Sequence, residues 1–368
     1  MYSFKTDDVN AALQIGINYL LREGVEEQSR NGSVIVAPGP VLTEYVNPRR
    51  RVLFSPLRDA NPFFHVMESL WILSGANDVE FVEYFAKQMR AYSDDGVTSW
   101  GAYGWRWRNF FGWDQLEAII AELKKDPKSR RCVLTMWNAW PGAGDYDQNR
   151  TMNRDNPDLH DHDLQVATHG GLDVPCNTHV YLDCRGGKLN ITVCNRSNDI
   201  IWGCYGANAV HFSFFHEYMA MRIGIPMGVY RQFSNNFHVY TDVFNREKLE
   251  QIALESDSLG KLPDMGPALE PGFDEDLSKF MTWARGLIRQ PQPPDTVGIN
   301  DPTPAAWEAA FNVPPMNTAF METVAIPMFL TWTYRKWKDS YSMFTCLDGI
   351  EAPDWKRACN EWIERRQK

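Results

Sequence analysis

The 368-residue chain is short of positive charge: 37 Lys and Arg against 47 Asp and Glu leave a formal net charge of −10. A phosphate backbone demands a basic stripe, so this composition excludes a surface made for nucleic acid. Local arginine clusters must then serve something small. Cysteines number seven, at 132, 176, 184, 194, 204, 346 and 359, an odd count without the paired spacing of zinc sites. That argues against a disulfide framework and for a reducing compartment. No run of about 18 uncharged apolar residues occurs, and the opening MYSFKTDDVN has no basic region followed by an apolar stretch. Neither export nor a membrane is expected, and a cytoplasmic location is. Internal repeats are also lacking.

What is present is ordinary globular composition with many rings: 44% hydrophobic, 23% charged, with 14 Trp, 14 Tyr and 20 Phe. Such rings line a cleft or fill a core. Apolar periodicity predicts helices over 8–22, 63–74, 79–91, 115–125, 209–223, 277–288, 318–342 and 354–366. Residues 29–33 read as a loop and the apolar, Gly/Pro-broken segment 34–45 as strands, with 130–137, 178–184, 188–195 and 229–240 as further strands and Arg185-Gly186-Gly187 as a hairpin turn. Residues 100–113 read as an aromatic, Gly-rich loop and 141–171 as a long polar loop. Asn208 sits where it could cap the helix after it, and Gly224 ends that helix. Prolines and glycines punctuate 256–315, which separates a catalytic unit, 1–250, from a Pro-rich and helical extension, 251–368, packed on the same domain.

Several side chains could carry chemistry, each beside a plainer reading. Glu68 follows Phe64 and Met67 and precedes Trp71, surroundings that make a carboxylate costly to ionise without a partner. It is a candidate general acid or base, or else an exposed helix glutamate. Arg130 and Arg131 open a strand and could grip a phosphate or form surface ion pairs. Arg49, Arg50 and Arg51 read as a solvated turn. His160-Asp161-His162-Asp163 holds metal-capable groups, but alternate residues in a polar loop are more often solvated, and no metal is expected. Cys176, after Pro175, becomes a nucleophile if its thiolate is stabilised, as a nearby arginine would do; a buried structural cysteine is the commoner case.

The joint pattern resolves these alternatives. Glu68-Ser69-Leu70-Trp71, Asp126 to Arg131 leading into Trp137-Asn138, Cys176, Asn195-Arg196-Ser197 with Asp199, Gly203, and His238 with Tyr240 together resemble the thymidylate synthase family over residues 8 to 245. The resemblance implies an α+β (α/β) fold, with a large mixed sheet, packed helices and a homodimer formed through the sheet. It implies Cys176 as nucleophile toward C6 of a pyrimidine nucleotide, with Asn177 beside it. Glu68 and Tyr103 would manage protons with ordered water. Arg30, Arg196 and Ser197 would hold the 5′-phosphate with Asn195 adjacent, and Arg130 and Arg131 would reach the phosphate of the neighbouring subunit. His238 and Tyr240 would contact the deoxyribose, Asn208 the base edge, and Asp199 and Arg58 the folate. The co-substrate implied is 5,10-methylenetetrahydrofolate.

Departures from the family pattern bear on the product. Asn177 stands for the usual histidine and Asn195 for the usual glutamine, and Trp202 to Asn208 is one residue longer than its counterpart. His238 and Tyr240 need the same one-residue offset, so the extra residue reads as a local insertion, with Asn208 as the base reader. Ungapped, Ala207 would take that place. The family's tryptophan pair, expected around Arg90 to Ser93, and its short closing tail have no match. Both changes fall on the hydride step that makes a methyl group, and a changed lid lets water compete. The expectation is a deoxyuridylate hydroxymethylase; the alternatives are thymidylate synthase and a dCMP or CMP hydroxymethylase.

Overall fold

A computed structural model describes residues 1–138, 163–168, 170–255, 260–290 and 311–367. Among the described residues, eight strands form one mixed sheet: β1 (Tyr2–Thr6), β2 (Val25–Ser29), β3 (Gly32–Val36), β4 (Val41–Tyr45), β5 (Val133–Thr135), β6 (Asn177–Arg185), β7 (Lys188–Asp199) and β8 (Met227–Tyr240). The order is β1-β4-β8-β7-β6-β5, with the β2–β3 hairpin joined to the far end of β8. β8 runs parallel to β7 and antiparallel to β4 and β3. The hairpin of β6 and β7 forms as expected, with Gly186 and Gly187 both at positive φ.

The helices are α1 (Val9–Glu23), α2 (Pro62–Leu73), α3 (Val79–Phe85), α4 (Tyr103–Trp105, running on as a π-helical turn Arg106–Phe110), α5 (Gln115–Lys125), α6 (Asp163–Thr168) and α7 (Asn208–Ile223). Then follow α8 (Arg246–Ala253), α9 (Phe273–Ile288), α10 (Ile326–Trp337), α11 (Ser340–Asp348) and α12 (Pro353–Glu364). Strand alternation explains where the core lies. Val180, Leu182, Ile191 and Val193 are buried, while their neighbours Tyr181, Thr192 and Cys194 face away from the core. α7 packs over this sheet and is buried nearly all round, ending at Gly224 in the left-handed conformation.

The region after residue 251 enters the same hydrophobic cluster. Trp332 of α10 and Trp362 of α12 meet Phe63 of α2 at centroid distances of 5.6 and 5.7 Å. The extension therefore backs the helix that carries Glu68.

Four local expectations are corrected. Residues 100–113 are not a loop: 103–110 coil tightly because Gly104 abuts Ile72, whose carbonyl oxygen would lie 1.6 Å from an added Cβ. Trp107 is fully buried there. The helix expected over 79–91 stops at Phe85, since Ala86 is extended and Lys87–Tyr92 forms a separate 3-10 turn. The Arg49–Arg51 run is no solvated turn. Arg49 and Arg51 bind Glu217 of α7 at 2.8 and 2.7 Å, and the Arg51 guanidinium lies 3.4 Å from the centre of the Phe214 ring. The long loop over 141–171 contains α6. His160, Asp161 and His162 lie outside the described residues, and Asp163 is committed to Arg106.

That last pair ties α4 to α6. Both side chains are wholly buried, with Arg106 Nη1 at 2.7 Å and Nη2 at 2.8 Å from the carboxylate. Arg106 also donates to the carbonyls of Trp100 and Met136, and Asp163 accepts from the Trp100 indole and the Asn138 N–H. Removing one partner strands a buried charge, so Asp163→Ala should cost about 3–5 kcal/mol of unfolding free energy, measured by denaturant titration. A loss below about 1 kcal/mol would mean that solvent reaches the pair.

Candidate active site

Cys176 sits one residue before β6. Arg196 lies across the ladder on β7, and its backbone N–H donates to the Cys176 carbonyl at 2.9 Å. Its guanidinium folds back over the same loop, donating from Nε to the Pro175 carbonyl at 3.1 Å and from Nη2 to that of Val174 at 2.9 Å. Nη2 is also 3.9 Å from Cys176 Sγ. Trp137 closes the other side, its indole donating to the Pro175 carbonyl at 3.0 Å with its ring 5.7 Å from the Arg196 guanidinium carbon. Burial pushes the Cys176 thiol up, the Arg196 charge pulls it down, and Asp173 adds to the rise. Asp173 in turn holds the 99–101 turn through Ser99 and Gly101.

Tyr103 lies within electrostatic reach of both Cys176 and Glu68. Burial raises its hydroxyl far above the ordinary range, the charges of Cys176, Asp173 and Glu68 act in the same direction, and the Asn177 N–H opposes them. Glu68, on α2, is only 12% exposed at its side chain, with Oε2 3.0 Å from His211 Nε2 on α7. Thus the exposed-glutamate reading fails.

The amide residues come from β6 (Asn177), β7 (Asn195 and Asn198) and the start of α7 (Asn208). Asn177 is fully buried and donates to the Cys194 carbonyl at 2.8 Å, while Asn195 donates to that of Phe233 at 3.3 Å. Asn208 Nδ2 donates to Asn198 Oδ1 at 3.1 Å, and Asn198 Nδ2 donates to Ser234 at 3.0 Å. Capping does not account for Asn208. It is the first residue of α7, preceded by helical Ala207, and the chain enters through a π-helical stretch, Ile200–Ala207. Asp199 caps that stretch instead, accepting from Ile201 and Trp202. A π turn absorbs one extra residue per turn, which is the structural form of an insertion; Gly206, at φ −101° and ψ −111°, takes up the kink.

Asp199 faces Arg58, which donates to the Ile201 carbonyl at 2.7 Å and lies 4.5 Å from the centre of the Trp202 ring. Burial drives the Asp199 carboxyl up to about 6, against the N–H groups of Trp202 and Ile201 and the Arg58 charge. Burial likewise brings Arg58 down to about 10. β-Sheet register sets His238 opposite Asp199 and Ser197 opposite Asn236. Tyr240 meets His238 edge to face at 5.1 Å, and burial lowers the His238 pKa. Arg30 is exposed at the tip of the β2–β3 hairpin, whose strand β3 pairs with His238 and Tyr240.

Arg130 and Arg131 are not brought to this cleft. Both are exposed before β5, whose register pairs Thr135 with His179 and Val133 with Tyr181, so they lie beyond Tyr181, away from Asn177. Sequence reasoning missed His211 and the Arg106–Asp163 pair. One signal for His211 was available: it is a polar residue three after Asn208, hence on the same face of a helix that is otherwise largely apolar. It also missed Arg365 and Arg366, which bind Asp59, the neighbour of Arg58, at the foot of the site.

Residues 17–265 match the thymidylate synthase family model, and the chain belongs to that family. Among its relatives, a deoxyuridylate hydroxymethyltransferase of Pseudomonas phage M6 is 42% identical over 377 residues, covering 100% of this chain and 95% of the relative. The deoxyuridylate hydroxymethyltransferase of Bacillus phage SP01 is 33% identical over 309 residues, covering 78% and 74%. The crystal structure of thymidylate synthase from T4 phage superimposes with a TM-score of 0.50 at 18% identity, over 71% of this chain and 86% of that one. This agrees with the α+β fold expected. No helix among the described residues is long and apolar enough to cross a membrane.

The electrostatics of the thiol are directly testable. Arg196→Ala removes the group that favours the thiolate, so the Cys176 pKa should rise and its alkylation at pH 8 should slow by about threefold or more, read by peptide mass spectrometry. An unchanged rate would show that the Arg196 charge does not reach the sulfur.

Proposed function

We propose that this chain is a folate-dependent deoxyuridylate hydroxymethylase, converting dUMP, 5,10-methylenetetrahydrofolate and water to 5-hydroxymethyl-dUMP and tetrahydrofolate. The observation that carries the choice of base is the Asn208 amide. One of its N–H groups is spent on Asn198 Oδ1, which leaves the other to donate to uracil O4 while Oδ1 accepts from the ring N3–H. Cytosine reverses both partners, with an amino donor at C4 and a bare acceptor at N3. The full-length relative of Pseudomonas phage M6 is named for this activity, which supports the same product.

Each residue then has a role. Cys176 adds as thiolate to C6, and C5 becomes a carbon nucleophile that takes the one-carbon unit. Removal of the C5 proton by a base and departure of tetrahydrofolate leave a methylene on C5; water adds to it, and Cys176 departs as thiolate. Arg196, Ser197 and Arg30 hold the phosphate, with Asn195 and Asn177 shaping the floor beneath. His238 and Tyr240 hold the sugar, while Glu68 and Tyr103 move protons. Methylenetetrahydrofolate is a co-substrate whose pterin ring N–H groups suit Asp199. Asp199 Oδ2 is buried and has no aligned hydrogen-bond partner among the described residues, and Arg58 closes that side. Asparagine in place of histidine at 177 keeps a buried hydrogen-bonding group that cannot take up charge.

The enzyme works as a homodimer on this reading. The open face of the sheet carries a shallow cavity of about 630 Å³, lined among others by Leu42, Tyr181, Thr192, Cys194 and Phe233. Arg130 and Arg131, unused in their own cleft, would reach the partner's phosphate. Residues 1–250 carry the chemistry, and 251–368 brace α2 and the Arg58 loop.

Incubation with dUMP and methylenetetrahydrofolate should yield a hydroxymethyl nucleotide by mass and tetrahydrofolate by absorbance. Thymidylate with dihydrofolate would refute the proposal. Asn208→Asp should shift kcat/KM toward dCMP by on the order of 10²-fold relative to dUMP, and no shift would mean another group reads the base. Cys176→Ser should abolish turnover while retaining nucleotide binding by calorimetry.

A further inference from the structure

We propose that His211 positions Glu68 for the water-capture step, an inference that rests on the hydroxymethylase reading above. The two side chains meet on different helices. His211, 3% exposed, reaches from α7, and Glu68, 12% exposed, from α2, with Nε2 and Oε2 3.0 Å apart. The ring N–H is not aligned with that contact, and neither atom has another hydrogen-bond partner among the described residues. A buried polar group without a partner is costly. A water beside the two atoms would satisfy both, donating to the carboxylate and accepting from the ring N–H.

The location of the pair follows from the order of atoms in the ring. Cys176 attacks C6 and Asn208 reads O4, so whatever stands between them faces C5. Tyr103 is within electrostatic reach of both Cys176 and Glu68, and Glu68 meets the helix that begins at Asn208 through His211. His211 is three residues after Asn208 on α7, about 4.5 Å further along the helix axis and on the same face. The Glu68–His211 contact is therefore beside C5, where the methylene stands after folate has left. Other charged groups are differently engaged. Arg58 is held by the Ile201 carbonyl, and His65, one turn before Glu68, is kept neutral by burial, with Arg58 and His211 adding to the effect.

The step balances without an oxidant or reductant. The water oxygen bonds to the methylene carbon and its proton passes to Glu68 Oε2. The C5–methylene π pair moves into the C4–C5 bond, placing negative charge on O4. That enolate then re-forms the carbonyl, restores the C5–C6 double bond and expels Cys176 as thiolate. His211 contacts the carboxylate, holding one oxygen toward the water; it is a positioning residue and touches no reacting atom.

The test uses wild type, His211→Leu and His211→Gln with dUMP and methylenetetrahydrofolate, with and without 2-mercaptoethanol, products being resolved by mass. A thiol attacks the methylene without a positioned base and gives a 5-thioether nucleotide. His211→Leu should lower hydroxymethyl formation by on the order of 10²-fold, leave KM for dUMP within about twofold, and divert turnover to the thioether when thiol is added. His211→Gln, which keeps an N–H group beside the carboxylate, should recover about a tenth or more of wild-type turnover. Hydroxymethyl formation by His211→Leu at the wild-type rate would overturn the role. So would a parallel loss of the thioether, which places the defect before water capture, or a Gln variant no better than Leu. If wild type itself releases thymidylate, the reaction reading falls and the role of His211 with it. A hydroxymethylating wild type with an indifferent His211→Leu removes only the latter.

Discussion

The site hangs on one main-chain contact, the Arg196 N–H donated to the Cys176 carbonyl at 2.9 Å. It carries the β6–β7 pairing one step past Asn177 and Asn195, so the residue before one strand is locked opposite a residue within the next. Because the hairpin is rigid, the guanidinium can come only from one direction. It settles on the carbonyls of Val174 and Pro175 and reaches the sulfur from the edge. A thiol that burial would otherwise keep neutral is thereby given its counter-charge.

Around that ladder, helices serve mainly to bring side chains from afar. α2 and α7 cross with Glu68 against His211, and the extension beyond residue 251 supports α2 from behind through Trp332 and Trp362. At the other end, Arg365 and Arg366 fasten Asp59, one residue from the Arg58 that faces Asp199. A segment without readable chemistry thus sets the position of two parts of the cleft. The buried Arg106–Asp163 pair does similar work beside Trp137.

The fold was largely legible. Strong periodicity gave α1, α2, α5, α7 and the β6–β7 hairpin, because a residue pattern of 3.6 or 2 reflects which face is buried. Legibility failed where tertiary contacts outweighed local preference. Aromatic, Gly-rich residues 100–113 coil because Gly104 must fit against the Ile72 carbonyl. Three consecutive arginines looked solvated, yet two of them bind Glu217, which lies far along the chain. In the candidate site, Cys176, Arg196, Asn208 and Asp199 were named through the family resemblance, whereas His211 has no motif of its own and acquires meaning only from what it touches.

By itself the sequence determined the family and, through that resemblance, named Cys176 and Arg196 as candidates for the nucleophile and its arginine, since order and spacing along a chain survive any packing. Only the tertiary structure decided the form of the stretch before α7, a π turn capped by Asp199 that leaves Asn208 beside Asn198. It alone brought His211 to Glu68 and withdrew Arg130 and Arg131 from their own cleft. The physical reason is common to all three: contact between helix faces and the register of strands depend on distances in space, and separation along the chain does not encode them.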